Sequence, residues 1–305
     1  VGPYLLRRLA QAVVSLFVLS VFAFAMIHLV PGNPVQIMLG TEATPPAVRQ
    51  LTHSLGLDRP LYVQYLSYTG RLLHGDFGDS IHSGLPVTDE IGSRIGSTVQ
   101  LALAAMVIAV PLGILMGTVA AAVRRPALDF LIMTLALVGL SMPTFWSGLL
   151  LILVFALLLH WLPVVGTGPS GLVLPAIALA LPAAAVLARM TRANLLEVLG
   201  QDFIRTARAK GLSWSWVVSR HGLRNAFIPV LTIIALQLGG LLSGTVIVES
   251  VFGRSGVGRL AIQAIEERDF PLVQGVILLA GAVFIAVNLV TDLLYPLVDP
   301  RIRLR

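Results

Sequence analysis

A chain of 305 residues with 56% hydrophobic and only 12% charged residues, and a mean hydropathy of +0.89, is far from a soluble domain, in which about a quarter of residues carry charge. It contains no cysteine, which excludes disulfides and thiolate metal centres. The net charge of +6 and pI near 10.5 leave a nucleic-acid partner or a biased membrane topology to account for the excess of cations.

Charge-free windows long enough to cross the roughly 20-residue hydrocarbon core run from Leu9 to Val30, Ile95 to Val123, Phe130 to Ala188, Ala226 to Val248 and Phe270 to Thr291. The third is about twice the needed length, and WLPVVGTGPSG at 161–171 divides it with Pro and Gly. Six spans follow. With the N-terminus inside, the inner segments hold Arg7, Arg8, Arg124, Arg125, the seven basic residues from Arg189 to Arg224, and Arg301, Arg303 and Arg305. The outer segments hold Arg49, Arg59, Arg71, Arg94, Arg254, Arg259 and Arg268, so 14 of the 21 lysines and arginines lie inside. Both termini are therefore expected in the cytoplasm, and the high pI reflects this bias, not nucleic-acid binding.

The opening VGPYLLRRLA places basic residues before an apolar core, as in a signal peptide. The core is longer than an h-region of about 7–15 residues and no A-x-A-like site closes it, so it is expected to stay as span 1. Residues 32–94 then form an outer segment too apolar for a disordered linker. Pro45, Val48, Leu51, Leu55 and Gly56 suggest one short helix; Asp58 as cap and Pro60 in the first turn suggest another through Leu73. In HGDFGDSIH, His74, Asp76, Asp79 and His82 form a possible metal set, whereas Gly75 and Gly78 favour a turn in which they need not converge.

Span 2 carries Pro111, Gly113 and Gly117, and span 3 carries Gly139, Ser141, Pro143 and Gly148. Such residues permit close helix packing or free carbonyls beside a cavity. Span 5, from Pro229, holds Gln237, Gly239, Gly240, Ser243, Gly244 and Thr245, which fits either a bent pathway-lining helix or one packed closely on a neighbour. Candidate pathway residues are Ser141, Thr144, Gln237, Ser243 and Thr245. No Asp, Glu, Lys or Arg lies inside the apolar windows, which argues against an ion- or proton-coupled pump.

The longest polar interruption in the second half is 189–225, with seven basic residues against Glu197 and Asp202. A short helix is expected through Arg205, Thr206, Ala207, Arg208 and Lys210, ended by Gly211, with a second opened by Ser213 as cap. Ile204, Ala207 and Gly211 share one face, where small residues admit a partner; Arg205 and Arg208 project from another and suit an acidic rim. Trp214, Val217 and Val218 would face the membrane domain or the partner. The competing reading is a basic loop lying on lipid headgroups.

RTARAKG at 205–211 followed by LRNAFIPV at 223–230 resembles the cytoplasmic EAA-type loop of ABC importer permeases. LVPGNP at 29–34, LGLDRPLYVQYLSY at 55–68, GDFGDSI at 75–81, LSMPTFWSGLLL at 140–151, VESVFGRSGVGRL at 248–260 and RDFPLVQG at 268–275 resemble the dipeptide, oligopeptide and nickel branch, and the long outer segment its B-type subunit. The chain departs from the pattern at Arg205, Thr206 and Ala207, where the loop name implies Glu-Ala-Ala, and at Ser255, where a Pro is common. GRSGVG lacks the Gly-Lys-Ser/Thr ending of a phosphate loop.

The resemblance implies an all-α integral membrane protein of the type I importer permease kind: one permease domain over 1–305, with a helical extracytoplasmic segment at 32–94 and a coupling loop at 189–225. It implies a bacterial inner-membrane location, a sister permease, two cytoplasmic ATPases that bind ATP and Mg2+, and an external substrate-binding protein. No cofactor, metal or catalytic residue is assigned to this chain. Coupling would fall to Arg205, Thr206, Ala207, Arg208, Lys210, Gly211, Arg220 and His221, through a loop moved by ATPase closure. Di- or oligopeptides are the expected solutes, with glutathione or a nickel chelate as alternatives; an autonomous channel or carrier and a membrane scaffold are the readings of another class.

Overall fold

The computed structural model describes residues 2–29, 34–40, 43–54, 56–123, 125–166 and 168–298, with the side chains of 2–5, 34, 37–38, 228, 242–243 and 291–298 outside that description. In order the helices are α1 (Gly2–Leu29), α2 (Pro34–Leu39), α3 (Pro45–Ser54), α4 (Leu61–Leu73), α5 (Val87–Ala122), α6 (Pro126–Ser141), α7 (Thr144–Leu151), α8 (Ser170–Leu199), α9 (Asp202–Ala209), α10 (Trp214–Trp216), α11 (Arg224–Val251), α12 (Val257–Glu266) and α13 (Phe270–Val298). Wider π turns extend α7 over Ile152–Leu158 and join α10 to α11 over Val217–Leu223. Among the described residues the only extended pairing is an isolated bridge between Asp79 and Pro86.

Four helices are long and apolar enough to cross a bilayer, and two bent pairs raise the number to six if each is one span. This agrees with the six expected spans. The third bends by 105° between α6 and α7. Its cause is local: Pro143 crowds the backbone of the residue before it, and Met142 is accordingly extended, with φ −75° and ψ 125°. The fifth bends by 55° at Pro229, not in the glycine run that follows, because a proline ring removes one helix hydrogen bond and clashes with the preceding turn. Residues 237–245 stay helical.

The chain divides into two compact units, Val1–Thr98 with Ser255–Leu289, and Val99–Arg254 with Val290–Arg305. In the first, α4 packs on α1 through Tyr65, Tyr68, Ala23 and Phe24, and the Ser20 and Tyr65 hydroxyls lie 2.9 Å apart. The expected cap at Asp58 does not form. Pro60 takes that position, while Asp58 pairs with His53 Nδ1 at 3.0 Å, a contact that holds its carboxyl below the usual range. α12 was not foreseen, although Val257, Leu260 and Ala264 recur at helical spacing and are the residues it buries against Val87, Ile91, Leu272 and Val276.

In the second unit α8 is the central element, with 67% of its apolar window buried, against 11% for α1. Its alanines leave room for close neighbours: a side chain at Gly113 of α5 would meet Leu187 Cβ at 2.5 Å and Ala184 O at 2.8 Å, and one at Gly117 would overlap the Ala188 carbonyl. Packing is thus the role of these two glycines. α8 also continues to Leu199, so the first part of the expected 189–225 loop is helix and the loop proper is shorter. At its end Arg192 grips Asp129 of α6 through two bonds, Nε to Oδ1 at 2.6 Å and Nη2 to Oδ2 at 2.5 Å.

Candidate functional site

The 200–223 segment is built as a helix pair on a buried seat. Gln201 is extended at the N-cap, α9 follows, and Gly211 reverses the chain with φ +81°, a conformation costly for any residue with a Cβ. Ser213 occupies the next N-cap, but its hydroxyl lies 3.4 Å from that of Ser215 and makes no cap bond. The pair is held instead by side chains. Ile204, Ala207 and Val217 form one buried cluster with Leu199 and Trp214, and Gly222 approaches Leu195 and Leu199 of α8.

This places Ile204 and Ala207 of the small-residue face inward, while Gly211 stays exposed. Ala207 is 7% exposed and Ile204 2%, so neither is free to receive a partner. The expectation that this face admits a partner is corrected by the packing: the apolar residues serve the chain's own core, as burial of about 25 cal/mol per Å2 favours. The exposed surface carries Phe203, Thr206 and Lys210 at i, i+3 and i+7, and Arg205, which forms an exposed pair with Asp202 at 3.5 Å. Leu212 and Trp216 add exposed apolar surface. Phe203, Leu212 and Trp216 were missed as surface residues, since a large apolar side chain in a short helix is read as core.

Two further contacts tie the pair to the spans. Trp214 Nε1 donates to the Ala122 carbonyl at 3.0 Å, satisfying an orphan acceptor at the end of α5. Arg208 lies 5.5 Å above the Trp214 ring, a cation–π contact that closes α9 onto α10. Arg220 is exposed, while His221 is half-buried and its carbonyl accepts from Asn225 Nδ2 at 2.7 Å.

A model described as "Binding-protein-dependent transport system inner membrane component" matches residues 89–304, and one for the N-terminal part of such membrane components matches 3–102. The chain belongs to this permease family. The glutathione transport system permease protein GsiC of Escherichia coli K12 is 46% identical over 301 residues, 98% of either chain, and that of Shigella flexneri serotype 5b is 45% identical over the same length. Among solved structures, an amino acid ABC transporter with histidines matches at TM-score 0.52 and 20% identity, covering 70% of this chain and 95% of that one. The methionine ABC transporter MetNI in inward-facing conformations matches at 0.52 and 19%, covering 70% and 96%. These two matches carry the type I importer fold. The permease is therefore the membrane subunit of an ABC importer in the dipeptide and oligopeptide family, a multi-pass inner-membrane protein and a transport subunit.

Among the described residues no hydrogen bond joins the remaining candidate positions Ser141, Thr144 and Gln237 of the permease to one another. Ser141, exposed, and Thr144, half-buried, flank the α6–α7 bend. Gln237 Nε2 reaches the Ala183 carbonyl of α8 at 3.5 Å, and no hydrogen bond among the described residues links it to Ser141 or Thr144. Thr245 is 1% exposed, inside the packing, and the Ser243 side chain lies outside the described residues. A side chain at Gly244 would meet Leu179 at 2.9 Å, so this part of α11 is packed tightly on α8.

His74 and Asp76 do not converge with Asp79 and His82. His74 Nδ1 lies 2.8 Å from the Gly70 carbonyl, Asp76 accepts from Gly78 N at 2.8 Å, and Gly75 and Gly78 have φ of +77° and +82°, as the turn requires. Among the described residues no three His, Asp or Glu are placed to hold a metal ion. Two of the motifs do meet, however. Asp269 of RDFPLVQG is fully buried and accepts from Ser80 Oγ at 2.5 Å and Ile81 N at 3.0 Å of GDFGDSI, from His82 N at 3.4 Å, and through its other oxygen from Leu272 N at 3.2 Å. It thus caps α13 and fastens the loop before α5 in one stroke. Only the pairing of the two strings in space reveals this.

Proposed function

We propose that this permease forms, with a sister permease, the pathway of an importer driven by two ATPase subunits that hold ATP and Mg2+, and that the α9–α10 pair is the surface on which an ATPase docks. Both termini and this pair then lie in the cytoplasm, in line with the 14 basic residues of the inner segments, and the 32–94 segment faces an external substrate-binding protein. The observation that carries the reading is the division of the pair into a buried seat (Ile204, Ala207, Val217) and an exposed face that joins Phe203, Leu212 and Trp216 to Arg205 and Lys210. An apolar centre rimmed by cations suits a groove with acidic edges. Identity of 46% to a glutathione transport permease supports di- to oligopeptide solutes, including the tripeptide glutathione.

The test uses the assembled transporter in proteoliposomes. Phe203→Asp, on the exposed face, is expected to reduce solute-stimulated ATP hydrolysis at least about tenfold, as loss of a central interface anchor does, with thermal stability unchanged. Full stimulation in this variant, with the ATPases still bound, would remove the docking role. Uptake of labelled glutathione, dialanine and a nickel chelate in parallel identifies the solute; flux from the permease without ATPases would reject the importer assignment of partners.

A further inference from the structure

The first unit holds a cavity of 390 Å3 between α1, α3, α4, the 76–81 loop and the start of α13, within the usual size range for small-molecule sites. Phe24, Ile27, Leu51 and Phe77 give it an apolar wall. Its polar lining has charge of both signs: Arg71 on α4, and Asp76 and Asp79 on the loop. Most polar groups nearby are already committed. His28 pairs with Gln64, Gln64 donates to the Arg59 carbonyl, Gln274 donates to the Ala23 carbonyl, and Ser80 is bound to Asp269.

Three groups are not committed. The Arg71 guanidinium and the Asp79 carboxylate both line this cavity and both are solvent-exposed, and neither has a hydrogen-bond or ion-pair partner among the described residues, so each is hydrated and open to a ligand. Tyr68, 9% exposed, also lines it, and its hydroxyl has no partner among the described residues. Burial pushes that phenol up to about 12, so it remains a neutral donor. Of the three only the Tyr68 hydroxyl is buried, and a buried polar group without a partner costs about 1–3 kcal/mol, which a bound molecule can recover.

We propose that this cavity is a binding site for a small zwitterion, whose anionic end is held by Arg71 with the Tyr68 hydroxyl and whose ammonium end is held by Asp79. The guanidinium offers paired donors to a carboxylate or phosphate, and the carboxylate offers acceptors to an ammonium. Two sources share this chemistry: a free peptide-like solute, and the headgroup of an aminophospholipid, since α1 and α13 are both bilayer spans. The proposal takes from the preceding reading only that this side of the protein faces outward; it requires neither ATPase nor transport.

The experiment measures equilibrium binding of labelled dialanine to the full chain in nanodiscs of phosphatidylglycerol, which has no ammonium group, and of phosphatidylethanolamine. Saturable binding in phosphatidylglycerol is expected, weakened at least about tenfold by Arg71→Gln and by Asp79→Asn, less by Tyr68→Phe, and lost for the N-acetylated, C-amidated dipeptide. Equal binding in the two lipids makes the free solute the occupant; binding lost in phosphatidylethanolamine makes it the headgroup. Absence of saturable binding in both lipids, or affinities within about twofold of the parent for both Arg71→Gln and Asp79→Asn, overturns the site. Because no ATPase is present, that result leaves the importer reading standing, and failed uptake in the assembled transporter would leave the binding result standing.

Discussion

Replacing Asp269 by Ala should loosen the loop before α5 without unfolding the spans. The carboxylate accepts four hydrogen bonds, and its removal strands the Ile81 and Leu272 N–H groups, while the Ser80 hydroxyl can turn to another acceptor and the 3.4 Å bond from His82 is weak from the outset. Each buried N–H left without an acceptor costs about 1–3 kcal/mol, so the loss for the two is about 2–6 kcal/mol in local opening free energy. At about 1.4 kcal/mol per tenfold, a mid-range loss of about 4 kcal/mol accelerates amide exchange at Ile81 and Leu272 by nearly three orders of magnitude. Hydrogen exchange read by mass spectrometry on peptides spanning 78–86 and 270–275 tests this, with a peptide from α8 as internal reference. Asp269→Asn should fall between, since one carbonyl oxygen remains but its amide group faces donors. Exchange at Ile81 within about threefold of the parent in Asp269→Ala would refute the view that this carboxylate fastens the loop.

Other outcomes follow from single contacts. Gly117→Ala should destabilise the protein by at least about 1–3 kcal/mol, because its Cβ overlaps the Ala188 carbonyl, whereas Gly139→Ala, with only Leu181 O nearby at 3.8 Å, should be neutral; thermal unfolding in detergent compares the two, and equal midpoints would refute the packing argument. Trp214→Phe keeps an aromatic six-membered ring but loses the five-membered part of the indole with its 3.0 Å bond to Ala122, and should cost at least about 0.5–1.5 kcal/mol with faster exchange confined to 214–223. A double-mutant cycle of Asp129→Asn and Arg192→Gln should return a coupling of about 1 kcal/mol or less despite its bidentate geometry, since both side chains are roughly a third exposed and water screens the pair.

Much of the architecture was legible because apolar run length and cation bias are one-dimensional signals. The α6–α7 break was readable at Pro143, whose effect on Met142 is strictly local. What stayed hidden depended on pairing across sequence. Ile204 and Ala207 looked like a partner-facing stripe, and nothing within 201–211 says that Val217 would cover them. The run Gly239, Gly240 and Gly244 fitted a bent helix or a closely packed one equally well, and the structure separates them: Gly244 packs on Leu179, while the bend sits at Pro229. Asp269 was one letter in a familiar string until Ser80, some 189 positions away, was found beside it.

The route by which the α9–α10 pair could act on the spans is also set by these contacts. The pair is anchored to α5 through Trp214, to α8 through Gly222 against Leu195 and Leu199, and it runs without interruption through the π turn into α11. A push on the exposed face therefore moves the first turns of α11 as one piece with the seat. Transmission changes character at Pro229, where the helix lacks one hydrogen bond and bends by 55°. Pro229→Ala restores a donor toward the Asn225 carbonyl and should straighten and stiffen this joint. In the assembled importer we expect ATP hydrolysis to persist while solute uptake per ATP falls several-fold. Because the chain has no native cysteine, spin labels at Ser219→Cys and Leu236→Cys, outside the docking face and on either side of Pro229, report the angle directly. An unchanged label distance together with unchanged uptake per ATP would show that the bend at Pro229 is a packing accommodation and that the pair acts on the pathway through α5 and α8 alone.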